Sequence, residues 1–155
     1  MNENPLEELF PVPAQPINSG NPAEWEEYMS EIDVKLPYDL VWLVSNYGQG
    51  LFCDFLSIFS LFMESYDRDI DNIKIAYKYL NRSNPDDFRD TVGTEAGNIF
   101  FIGNTANGDE LFYHLNDIDC NKWMIRFYPT RNSTYLDYNL SITEYIFAVF
   151  RGDIV

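Results

Sequence analysis

The spacing of apolar residues changes period several times along this chain, and that alternation restricts the fold more than any other feature. Trp25, Tyr28, Met29 and Ile32 recur at steps of three and four, as do Leu40, Leu43, Val44 and Tyr47. The same rhythm returns from Phe59 onward in Phe62, Met63, Tyr66, Ile70, Ile73, Tyr77 and Leu80, and it places apolar groups on one face of an α-helix. Leu111, Tyr113 and Leu115 alternate instead with Glu110, Phe112 and His114, and Trp123, Ile125 and Phe127 alternate with Met124, Arg126 and Tyr128. That is the two-residue period of a strand. The order of helices, strands, helix, strands and helix predicts a single α+β domain, with an antiparallel sheet packed against helices on one side.

Local signals set the expected boundaries. Asn21-Pro22-Ala23-Glu24 reads as a capped helix start, with Asn as N-cap, Pro at the first helical position and Glu three residues on; that helix should run to about residue 34. Leu36-Pro37-Tyr38-Asp39 opens a second helix, and Gly48, with Gly50 close behind, ends it. Residues 51–59 read as one or two strands. The next helix is expected from Phe59 to Leu80, with any break near residues 67–71, followed by a long loop over residues 81–97. Ile99–Ile102 and Glu110–Leu115 form a hairpin whose connection contains Asn107-Gly108. Ser141-Ile142-Thr143-Glu144 caps a final helix that stops at Gly152. Pro5, Pro11, Pro13 and Pro16 fall within residues 1–20, which are therefore expected to form an extended arm, leaving residues 21–155 as the domain.

A chain of 155 residues that is 46% hydrophobic and 17% aromatic has the material for one sizeable core, and this excludes wholesale disorder. Its charge is lopsided, with 25 Asp and Glu against 10 Lys and Arg, a formal net charge of -15. Direct binding to nucleic acid, or to an anionic membrane surface, needs a basic stripe that the ten scattered cations do not form. The acidic, polar stretch from Met1 to Glu8 does not resemble an export signal, and the uncharged run Leu40 to Cys53 is too short to span a bilayer. The expectation is a cytoplasmic protein in which Cys53 and Cys120 are reduced thiols.

Little in the sequence points to catalysis. Asp67-Arg68-Asp69-Ile70-Asp71 begins like a calcium loop but has Asn72 where Gly is wanted and Lys78 where a bidentate Glu is needed. His114 is the sole imidazole, placed on a strand with no nucleophile motif beside it. Phosphate-binding and dinucleotide signatures are missing. We therefore expect no metal, no cofactor and no enzymatic activity. The abundant carboxylates of the loops are the candidate contact surface for a partner: Asp86, Asp87, Asp90, Asp109, Glu110, Asp117 and Asp119.

Two segments together carry a family likeness, Leu36-Pro37-x-Asp39-Leu40-x-x-Leu43-Val44-x-x-Tyr47-Gly48-x-Gly50 and Asn107-Gly108-Asp109-x-Leu111-x-Tyr113. With the closing Ser141-Ile142-Thr143-Glu144-Tyr145-Ile146, this order of motifs resembles the SUKH superfamily of bacterial toxin-immunity proteins over roughly residues 22–151. The chain departs from the family's pattern at Tyr47-Gly48-Gln49-Gly50 and in its acidic segment from Glu64 to Glu95. The resemblance implies a SUKH-like fold and a protein that binds and neutralises a cognate toxin domain by stoichiometric blocking, a basic nuclease being one kind of partner. Leu36, Pro37, Asp39, Gly48, Gly50 and Gly108 are all explained by packing, helix ends and turns, so the motif argues for fold more than function. The competing expectation is an intracellular regulatory interaction module on the same fold.

Overall fold

The computed structural model describes residues 4–130 and 134–154. Asn21 accepts a hydrogen bond from the Glu24 amide at 2.9 Å, and Glu24 accepts one from the Asn21 amide at 3.2 Å, so the capping box closes and helix α2 runs over Pro22–Ile32. It follows a shorter helix, α1, at Pro5–Leu9. Helix α3, Tyr38–Tyr47, buries Leu40, Leu43, Val44 and Tyr47. It stops at Gly48, whose φ of 69° and ψ of -153° define a conformation open essentially to glycine alone. The reason is a close approach: a Cβ on Gly48 would lie 2.1 Å from the Ile17 carbonyl oxygen. Ile17 runs beside Gly48 as an isolated parallel bridge, and its carbonyl accepts from the Gln49 amide at 2.9 Å.

Gly50 opens the first strand. β1 (Gly50–Phe52) and β2 (Leu56–Ile58) form a hairpin whose turn holds Cys53 and Asp54 at φ of 57° and 51°. Positive φ at both positions is the geometry that matches strand twist, reached here without glycine or asparagine. Helix α4 (Tyr66–Ser83) comes next, then β3 (Ile99–Thr105), β4 (Glu110–His114), a 3-10 turn at Cys120–Lys122, β5 (Met124–Tyr128), β6 (Leu136–Tyr138) and helix α5 (Ile142–Arg151). The six strands lie in sequence order and every pair is antiparallel, an up-and-down meander. At the β3–β4 connection Gly108 takes φ of 84° and its amide donates to Thr105 at 2.9 Å. Ser141 caps α5 through the Glu144 amide, and Gly152 ends it at φ of 75°. This is the α+β architecture expected from the periodicity.

Four expectations change. The sheet is covered on both faces. Phe100, Ile102, Leu111, Tyr113, Ile125 and Phe127 face a core shared with α1, α2, α3 and α5, whereas Ile99, Phe101, Phe112 and Tyr128 form a second core with Tyr77 of α4 and Val92. The Tyr77 ring stands 5.3 Å from Phe112 and 5.4 Å from Tyr128. Phe101, Phe112 and Tyr128, aromatic residues on the face opposite the main core, require that cover. Second, the third predicted helix starts at Tyr66 and not at Phe59, because the Phe59 amide extends the sheet by donating to Ile102 at 3.0 Å and Ser60 is buried with its hydroxyl on the Asn18 carbonyl. Third, β6 adds a strand that the sequence reading lacks.

Fourth, the supposed arm is not wholly extended. Pro5 occupies the first helical position of α1, where its missing N–H costs nothing, and Asn4 caps the Leu6 amide at 3.0 Å. Leu6 is buried in the main core, and Phe10 packs edge-on against Phe52 and Phe150 while its carbonyl accepts from the Tyr47 hydroxyl at 2.6 Å. Among the described residues, no helix is long and apolar enough to cross a membrane.

Candidate functional site

The sheet register places Arg126 of β5 between Phe112 of β4 and Asp137 of β6. From there its guanidinium forks onto Asp137, with Nε at 2.8 Å from Oδ1 and Nη2 at 2.9 Å from Oδ2, while Nη1 donates to both carboxylate oxygens of Asp90 at 2.8 Å. The Tyr128 hydroxyl also donates to Asp90. The Tyr135 ring lies under the guanidinium at 3.8 Å, and Nη2 is 3.3 Å from His114 Nδ1. The arginine side chain is only 6% exposed. Burial opposes its charge, but the bonds to Asp137 and Asp90 outweigh burial and raise its pKa further. Burial and then the neighbouring Arg126 lower the pKa of His114, and burial together with Asp90 raises that of the Tyr128 phenol. Each donor and acceptor here is occupied by another, which is how a buried ion cluster is tolerated.

That cluster removes Asp90 from the predicted contact surface. Asp109 is removed as well. It is 6% exposed, accepting from the Thr105 hydroxyl at 2.7 Å and from the Thr130 amide at 3.0 Å. It therefore ties the β3–β4 turn to the chain after β5. Glu110 lies half-buried beside the Tyr77 hydroxyl, with Oε2 unpartnered, and burial raises its pKa. Asp87 is engaged by the Asn84 amide group at 2.8 Å, and Asp86 is an exposed group 3.8 Å from Arg89.

Asp117 and Asp119 remain open to solvent. Each shapes its own loop, Asp117 accepting from the Asp119 amide at 2.9 Å and Asp119 from the Asn121 amide at 3.0 Å, which leaves oxygens pointing outward. Between them Ile118 is 106% exposed, the most exposed large apolar residue described. The loop forms one wall of a groove of about 790 Å³, with Val34, Leu115 and Trp123 as apolar lining and Asp33, Lys35 and Asp117 as charged lining. The pattern of loop carboxylates points to the two aspartates but not to Ile118, Asp33 or Lys35. An isoleucine set between two turn-forming aspartates was the available signal, because such a loop has no core to give it.

The remaining motif residues are structural. Leu36 and Pro37 are buried. Asp39 does more than start its own helix: its carboxylate accepts from the Thr143 amide at 2.8 Å and the Thr143 hydroxyl at 3.0 Å, capping the first turn of α5. Cys53 and Cys120 are free and partly buried, and burial raises the pKa of both thiols. No group of three or more His, Cys, Asp or Glu side chains able to hold a metal occurs among the described residues. The chain matches no family model, no curated protein and no solved structure.

Proposed function

We propose that this protein is an immunity protein of SUKH type that neutralises a cognate toxin domain by covering it. The observation that carries the reading is the Asp117-Ile118-Asp119 loop on the rim of an open groove, an exposed apolar side chain framed by carboxylates. Such a loop combines an anchor that gains by leaving water with charges that speed encounter with a basic surface. The net charge of -15 extends that attraction beyond the contact itself. The ordered motifs around Leu36-Pro37-x-Asp39 and Asn107-Gly108-Asp109 supply the family likeness. Stoichiometric contact rather than catalysis fits the one histidine, whose ring faces Arg126 and not a nucleophile.

The test is co-expression with the product of each gene adjacent to its own, with cell survival and complex formation measured together. Rescue and a 1:1 complex are expected, both weakened by Ile118→Lys and by the double reversal Asp117→Lys with Asp119→Lys. Neither rescue nor binding by the wild-type chain would replace this reading with that of a regulatory interaction module.

A further inference from the structure

The outward face of α4 differs from the rest of this acidic surface. Tyr66, Ile70, Ile73, Tyr77 and Leu80 turn toward the protein, and on the opposite side Arg68, Asp71, Ile75, Lys78, Tyr79 and Arg82 are all exposed. Ile75 and Tyr79, one turn apart, are 66% and 69% exposed and adjoin on the surface. The helix carries four cations and three carboxylates, so its net charge is +1 (4 − 3) in a chain of -15. Two copies meeting here bring together faces of nearly balanced charge, where the strongly acidic faces elsewhere would repel more.

The charges are also ordered along the axis. Asp67, Asp69 and Asp71 occupy the first turns, whereas Lys74, Lys78 and Arg82 occupy the rest with no further carboxylate. A helix dipole favours this order, but it gives no reason to leave Ile75 and Tyr79 bare. Asp71 and Arg82 have no ion-pair partner among the described residues.

We infer that α4 is a self-association surface on which two copies of this chain pack antiparallel about a two-fold axis level with Tyr77. In that register Ile75 of each copy meets Tyr79 of the other. Asp71 lies about 9 Å to one side of the axis and Arg82 about 7.5 Å to the other, at a rise of about 1.5 Å per residue, so the two-fold brings each aspartate opposite the other copy's arginine. Both residues sit on the same flank of the helix, and the rotation preserves that flank. The pairing is isologous, satisfies Asp71 and Arg82 twice and opposes the two helix dipoles, while the exposed Lys78 of each copy, one residue from the axis, keeps its ammonium in solvent at the edge of the contact. One helix per copy buries less than a standard interface of about 800 Å² per partner, so the dimer forms only as concentration rises.

Sedimentation equilibrium of the full chain, run from low to high micromolar concentration, should show a mass rising from 18.1 kDa toward twice that value. Asp71→Arg alone and Arg82→Asp alone should each weaken association by about tenfold, because each sets two like-charge pairs against one another. Asp71→Arg combined with Arg82→Asp should restore it, since the swapped charges again face opposite signs. Circular dichroism melts of the three variants separate loss of association from loss of fold. A wild-type mass of 18.1 kDa at every concentration, or a folded double variant no better than the single ones, would overturn the inference.

Discussion

Arg126 and Asp137 stand directly opposite one another in the β5–β6 register, and the guanidinium closes on both oxygens of the carboxylate from 2.8 and 2.9 Å. The pair holds the last strand to the sheet by side chains as well as by backbone. Its second carboxylate, Asp90, pulls the long loop after α4 onto the same face.

Replacing Arg126 by Leu leaves two carboxylates, 13% and 26% exposed, without a counter-charge. The expected loss of stability is about 3 to 5 kcal/mol, since an unpaired buried charge costs more than the pair contributes. Arg126→Lys keeps the charge but loses the fork, and should fall between wild type and Arg126→Leu. Urea unfolding midpoints at constant m-value give the ranking; a lysine variant as stable as wild type would show that charge alone suffices.

Arginine only donates, so His114 Nδ1 must accept from Arg126 and the neutral ring carries its proton on Nε2. Protonation would turn Nδ1 against the guanidinium. Asp90 and Asp137, with a backbone bond at Gly97, favour the charged ring, but burial and Arg126 prevail and the folded pKa lies below 6.5. Below pH 6.5 the unfolded chain then binds the proton more readily, so this contribution to stability is whole above that pH and is lost as pH falls through the folded value. Unfolding midpoints followed from about pH 7.5 to about pH 5 should decline more for wild type than for His114→Gln. Parallel curves would assign the decline to other groups.

Gly48→Ala should destabilise by about 2 to 4 kcal/mol, and Gly48→Val by at least as much. Two causes combine: the positive φ, and a Cβ that would press on the backbone of Ile17. Because the obstacle is backbone, repacking of a side chain gives no relief. A midpoint within error of wild type would mean that the Ile17 segment lifts away at little cost.

Asp109 and Asp117 make a useful contrast. Asp109→Ala strands the Thr105 hydroxyl and the Thr130 amide and should cost about 2 kcal/mol, whereas Asp117→Ala, at an exposed turn, should stay within about 1 kcal/mol. Thermal melts of the two variants check this, and equal shifts would contradict the division between inner and outer carboxylates.

Features that rest on neighbouring residues were legible in the sequence. Asn21, Ser141 and Gly152 mark helix ends because side chain and capped amide, or glycine and freed carbonyl, lie within a turn of each other. The cluster around Arg126 was not legible, since Asp90 and Asp137 come from 36 and 11 residues away and nothing local distinguishes them from solvated aspartates. Nor was β6, whose Leu136-Asp137-Tyr138 has little burial of its own and becomes a strand by pairing with β5. The false start at Phe59 has a physical origin too. Phe62 keeps the helical spacing while packing from a turn, its ring 4.9 Å from Trp25. For the contact surface, acidity could be read but accessibility could not, because burial of a carboxylate depends on donors supplied by other parts of the chain.

The meander has a kinetic side. Each strand bonds to its neighbour in sequence, so most of the sheet assembles through short loop closures, and the β2–β3 step, which must pass around α4, is the longest among them. The bond from Asp39 to Thr143 spans 104 residues and joins α3 to α5. Loop-closure entropy places that contact late, once the strands between have shortened the distance. The two helices thus act as a latch on a sheet already formed, and mutations at Asp39 should speed unfolding while leaving the folding rate nearly unchanged.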